Sequence, residues 1–252
     1  MGERRTGERP GTAAGHGPAA PVPGEDGDPH CLGEGEARRL LAGHPWRRLV
    51  VLGGSAADPS PEPVPGYRSA PWYDRVASAL RTAGAEPACL VLLGPRELAV
   101  GRVRSQQLAR ALDFRSDLAL VCCDGTDLLR PSFAPDALEV ELERIVTPLR
   151  DGGADVLVVG PYSLAHSARA PEPLRESVGL RQRVLMERAR AVTLRHGALL
   201  LDLSVLPLPL PLPLPLPGTA VRGADRMRPD GRGHAVAAAA AVRRLGSFLA
   251  GR

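Results

Sequence analysis

Aromatic residues make up only 3% of this 252-residue chain, and lysine is absent, so every basic side chain is an arginine. So few rings leave no stacking platform for unpaired bases, and acidic residues are interspersed among the arginines. The formal charge of +4 therefore describes a solvated arginine-rich surface, and nucleic-acid binding is disfavoured. No apolar run approaches the length of a membrane span, and Met1 to Pro29 carry charge, glycine and proline without the apolar stretch of a signal peptide. A cytoplasmic protein is expected. Cys31, Cys89, Cys122 and Cys123 lack Cys-x-x-Cys spacing, which favours buried reduced thiols over a zinc site or a disulfide framework. No metal and no cofactor is expected.

What is present is aliphatic residue in short, regular blocks. Residues 1–33 are rich in Gly, Pro and Arg without hydrophobic periodicity and read as a disordered tail, whereas residues 34–252 read as one domain. Near-continuous aliphatic runs predict strands at Leu49–Leu52, Ala88–Leu93, Leu118–Cys122, Val156–Val159 and Leu199–Leu203, each covered on both faces. Amphipathic stretches predict helices at Pro71–Ala83, Val103–Leu112, Pro135–Arg150, Pro173–His196 and Gly231–Leu249, with prolines where a first turn tolerates a missing N–H. This alternation predicts a three-layer α/β/α sandwich around a five-stranded parallel sheet, with ligands beyond the C-terminal strand ends. From Leu206 to Pro217 leucine and proline alternate, a pattern that enforces extended polyproline II structure and reads as a repeat expanded within a surface loop. A protein partner docking there is the sharper alternative.

The candidate site is spread over several blocks. The first predicted strand ends in Gly53-Gly54-Ser55; a second block reads Glu97-Leu98-Ala99-Val100-Gly101-Arg102; a third, after the third strand, reads Asp124-Gly125-Thr126-Asp127. Near the C-terminus comes Asp225-Arg226-Met227-Arg228-Pro229-Asp230-Gly231-Arg232-Gly233-His234. Taken in order from Arg47 to Leu249, these blocks resemble those of the bacterial SGNH (GDSL-type) serine hydrolases, in an actinobacterial-like version. The usual Gly-Asp-Ser has Gly54 in its middle, the usual Gly-x-Asn-Asp has Thr126 for its asparagine, and the usual Asp-x-x-His has Arg228 for its histidine.

The resemblance implies the flavodoxin-like SGNH fold and an ancestral reaction in which a serine attacks an acyl ester in the cleft. Ser55 would be the nucleophile and Asp225 the orienting acid, with Arg228 standing where the base belongs. Ser55, Gly101 and Thr126 would form the oxyanion hole. A guanidinium offers donors only and stays charged, so general-base catalysis from Arg228 is excluded. An ion pair between Asp225 and Arg228 is expected instead. His234 is read as structural near the start of the last helix; it and His166, read as an exposed loop residue, are the alternative bases of a slow esterase. The expectation is a pseudoenzyme that binds or scaffolds, with slow Ser55-dependent esterase activity as the alternative.

Overall fold

In the computed structural model of the chain, residues 24–54, 63–94, 98–123, 125–163, 172–206 and 229–252 are described, with the backbone alone for Thr126 and residues 172–175. Ser55, His166, Asp225, Arg228 and all but the first residue of the Leu206–Pro217 repeat lie outside them. So do residues 1–23 of the expected tail.

Five strands, β1 (Arg48–Gly53), β2 (Ala88–Leu93), β3 (Leu118–Cys122), β4 (Asp155–Val159) and β5 (Leu199–Leu201), form one all-parallel sheet in the order β2-β1-β3-β4-β5. Seven helices complete the described residues: α1 (Glu36–Leu40), α2 (Trp72–Ala83), α3 (Val100–Asp113), α4 (Thr126–Leu129), α5 (Pro135–Asp151), α6 (Glu172–Arg195) and α7 (Gly231–Ala250). The two-residue period of a strand sorts the core into two layers. Leu49, Val51, Leu118, Leu120, Leu157 and Val159 pack with α2 and α7 on one face. Val50, Leu52, Ala119, Val121, Val156 and Val158 pack with α3, α5 and α6 on the other. In α5 the apolar positions Leu142, Ile145, Val146 and Leu149 recur at three- and four-residue spacing and are all buried, which explains why this stretch is a helix docked on the sheet.

Strand order reverses between β1 and β3, and in such a sheet the crevice opens beyond the carboxyl ends of the strands at that switch point. Gly53 lies there. A Cβ added to it would stand 2.7 Å from the Cβ of Cys122, so the close passage of β1 past β3 at this edge requires glycine.

Three expectations are corrected. The tail does not reach residue 33: residues 24–33 strap across the domain, with a 3-10 turn at Glu25–Gly27. Glu25 pairs with Arg75, and its backbone N–H donates to Gly66 O at 2.9 Å. Asp28 accepts from Tyr67 Oη at 2.9 Å and Arg232 Nε at 2.7 Å, while Cys31 is buried with Tyr67, Ala235 and Val236. Cys89 is exposed, unlike the other three cysteines, because it lies on β2, the sheet edge, whose outer half is open. Finally, β5 ends at Leu201, and Leu203 enters a 3-10 turn capped by the Asp202 carboxylate, which accepts from Ser204 N at 2.9 Å. Among the described residues, no helix is long and apolar enough to cross a membrane.

The end of the sheet opposite the crevice is closed by charge. Asp155, at the start of β4, accepts from the Trp46 indole at 2.8 Å, Arg150 at 3.1 Å and Arg252 at 2.6 Å. This fastens the C-terminal residues to the sheet.

Candidate functional site at the carboxyl edge of the sheet

Each expected site segment that is described leaves the sheet at its carboxyl edge. β1 ends at Gly53, two residues before Ser55. Gly101 is the second residue of α3, after β2, and Thr126 is the first residue of α4, after β3. First-turn amides of a helix have no carbonyl four residues back to bond, so the Gly101 N–H is a donor of the kind an oxyanion hole uses.

One contact binds two of these segments together. The Asp127 carboxylate accepts from the backbone N–H of Val100 at 3.0 Å, across 27 residues of sequence. Thus the residue after Thr126 holds the residue before Gly101. Burial raises the Asp127 carboxyl above the usual carboxylate range, opposed by the Val100 hydrogen bond and by the charge of Arg130. A recess of about 150 Å³, bordered by Arg130, Phe133, Leu138 and Glu141, opens beside it.

A second contact fixes the end of β1. Gln107, on α3 and 5% exposed, receives the N–H of Gly53 on its Oε1 at 2.9 Å and donates from its Nε2 to the Gly53 carbonyl at 2.9 Å. Gly94 N also donates to that carbonyl, at 3.0 Å. Sequence reasoning missed Gln107, although a signal was present. Val100, Val103, Gln107 and Ala111 are the buried stripe of α3, and an amide on a buried stripe needs a polar partner.

His234 is completely enclosed, and its Nδ1 accepts from the backbone N–H of Trp72 at 3.0 Å. A neutral imidazole accepting at Nδ1 carries its proton on Nε2. Asp230 caps α7, accepting from Gly233 N at 2.8 Å, and so sets where the helix begins just after the Asp225–Arg228 block. Among the described residues no cluster of His, Cys, Asp and Glu could hold a metal ion.

The asparagine expected in the third block is missing for a reason wider than that block: the chain contains no asparagine at all. No other position can therefore supply that particular side-chain amide.

No family model matches the chain, and no curated protein matches its sequence. Solved structures do match in fold. A lipase/acylhydrolase from Enterococcus faecalis superposes with a TM-score of 0.58 at 16% identity, covering 80% of this chain and 96% of that one. Axe2, an acetylxylan esterase from Geobacillus stearothermophilus, gives 0.57 at 16% identity over 81% and 95% of the two chains. LAE5, an α/β hydrolase enzyme from the metagenome of Lake Arreo, gives 0.57 at 18% identity over 81% and 96%. At such identities the likeness establishes the shared three-layer fold.

Proposed function

We propose that the protein is an SGNH-type serine ester hydrolase by descent, whose cleft still binds small acyl esters but turns them over poorly. The observation that carries this reading is the Asp127–Val100 hydrogen bond, which holds the Gly101 and Thr126 segments together at the carboxyl edge beside Gly53. Support also comes from the fold shared with a lipase/acylhydrolase and an acetylxylan esterase.

In this reading Ser55, two residues beyond the end of β1, is the nucleophile, and its amide joins that of Gly101 in facing the oxyanion. The impairment has two parts. Arg228 stands at the base position, and a guanidinium cannot take the serine proton. Thr126 offers one hydroxyl donor where the resemblance expects an amide; loss of one oxyanion donor costs roughly 10²–10³ in rate. His234 does not repair the first defect, because the lone pair at Nδ1 is already engaged by Trp72 N–H and the ring is enclosed.

The test combines binding with turnover. Saturation-transfer NMR with p-nitrophenyl butyrate should show binding by the unmodified protein, while p-nitrophenol release stays barely above a Ser55→Ala control. Fast hydrolysis that depends on Ser55 would replace the impaired reading with that of an active esterase using another base.

A further inference from the structure

β2 is an edge of the sheet, paired among the described residues with β1 alone. Its ladder fixes which way each residue points. Ala88 N–H donates to Arg47 O at 2.8 Å and Gly94 N–H to Gly53 O at 3.0 Å, so residues of that parity turn both backbone groups toward β1. Cys89, Val91 and Leu93, of the other parity, therefore turn their N–H and C=O groups outward from the sheet. Natural edges of this kind are usually blunted by a charge, a proline, a bulge or a covering segment. β2 reads Ala88-Cys89-Leu90-Val91-Leu92-Leu93, with neither charge nor proline, and its register with β1 runs unbroken from Arg48↔Ala88 to Gly53↔Leu93. It is also open: Cys89 is exposed, and Val91 is 38% exposed.

This edge is complementary to itself. In an antiparallel pair, residues whose backbone groups face the partner strand exchange N–H and C=O bonds reciprocally. A two-fold axis beside Val91 sets Val91 against Val91 of a second copy and Cys89 against Leu93, so every outward group of the three residues is paired. A shift one way sets Leu93 against Pro87, which has no N–H to give, and a shift the other way carries Cys89 past the end of β2. The side chains agree with this register. Leu93 packs on the α2 and α7 layer, so Cys89, Val91 and Leu93 share that face, and apolar meets apolar across the axis. Beside Cys89 a recess of about 330 Å³ between α2 and β2 is rimmed by Arg68, Asp74, Arg81 and Glu86. A rim with two groups of each sign suits a copy of itself, where acid can meet base, and gives no net attraction to a partner of one charge sign.

We propose that the protein forms a two-fold homodimer through β2, which runs antiparallel to β2 of the second copy and joins the two five-stranded sheets into one. This inference is independent of the ester-binding reading.

Sedimentation velocity over a micromolar dilution series should give the mass of two chains. Val91→Arg sets like charges against each other at the axis, and Val91→Pro removes an N–H that the β1 ladder does not use. Both variants should sediment as monomers with unchanged circular dichroism. Register is read separately by Val91→Cys in a Cys89→Ala background, the other three cysteines being buried. Diamide, as oxidant, should convert it to a disulfide-linked dimer, because the α-carbons of such a pair lie about 5.5 Å apart, within disulfide reach. The unmodified protein should not cross-link, since Cys89 faces Leu93. A monomer throughout the series would overturn the proposal and leave this edge to a strand of a different protein. A dimer untouched by Val91→Arg, or a folded Val91→Cys protein that does not cross-link, would overturn it as well by placing the interface on another face. Should Val91→Arg and Val91→Pro both fail to fold, the cross-link decides.

Discussion

Gln107 and Gly53 face each other as a closed pair, the side-chain amide of one taking the N–H and giving to the carbonyl of the other, each at 2.9 Å. The pair does for the end of β1 what a neighbouring strand would do, but from a helix. It holds the last peptide of β1, two residues before Ser55, in one orientation.

Gln107→Leu should therefore lower unfolding free energy by about 1–3 kcal/mol, the usual cost of leaving a buried donor or acceptor unpaired. Gln107→Glu should also destabilise, because it keeps an acceptor for the Gly53 N–H but turns oxygen lone pairs toward the Gly53 carbonyl. Urea denaturation reads both. A change within about 0.5 kcal/mol for both variants, the scatter of an ordinary surface substitution, would mean that the pair contributes nothing to holding β1.

A comparable engagement decides the role of His234. Its Nδ1 takes the first free amide of α2, that of Trp72, and so joins the start of α7 to the start of α2. His234→Ala should cost about 1–3 kcal/mol in stability through that orphaned N–H. The small hydrolysis that remains, measured per folded molecule, should not change. Loss of all Ser55-dependent hydrolysis in a fully folded His234→Ala protein would instead make this histidine the base.

Much of the fold was legible because the strands of a doubly covered sheet are apolar on both faces, and β1, β3 and β4 announce themselves as unbroken aliphatic runs. The same logic overreached at β2, which has an open edge, and at the end of β5, where Asp202 already caps a turn. Helices α1 and α4 span five and four residues, too few for a 3.6-residue period to show. Residues 24–33 escape a local reading for a different reason. Their order comes from polar pairs reaching Arg75 and Arg232, which are 50 and 204 residues away, and no local pattern encodes those. At the site, motif order points to Gly101 and Thr126, which lie in the first turns of α3 and α4, after β2 and β3. The contacts that hold them there, through Asp127 and Gln107, depend on which helix face meets which strand end.

Asp28 gives that strap a pH dependence. Burial alone would raise its carboxyl, but hydrogen bonds from His30 N–H, Arg232 and Tyr67, with the Arg232 charge, outweigh burial and hold it below the usual range. A depressed carboxylate contributes stability that is fully present above its unfolded pKa, about 3.9, and is lost as pH falls through the lower folded value. Stability should therefore decline on acidification below about pH 4. Asp28→Asn should flatten that acid limb while costing about 1.5–3 kcal/mol at neutral pH, as charged hydrogen bonds do. Denaturation curves collected from about pH 3 to about pH 7, the span over which carboxylates titrate, would show the two limbs. Parallel limbs for both proteins would assign the acid sensitivity elsewhere.

The last expectation concerns restoration of activity. If the scaffold keeps Ser55 and Asp225 in working geometry, the double change Arg228→His and Thr126→Asn returns a base and an amide donor to a cleft otherwise intact. A recovered base removes the excluded proton transfer, and a recovered donor is worth roughly 10²–10³ by itself. The gains need not multiply, because such groups act as a unit. Turnover of p-nitrophenyl butyrate should rise by at least about 10² over the unmodified protein, and Ser55→Ala in the same background should abolish the gain. Arg228→His alone should recover part of it, and Thr126→Asn alone almost none, since an oxyanion donor cannot act before the nucleophile is deprotonated. Equal, small effects for all three variants would show that Arg228 does not occupy the position of a base, and the reading of this cleft as a disabled serine hydrolase would have to be given up.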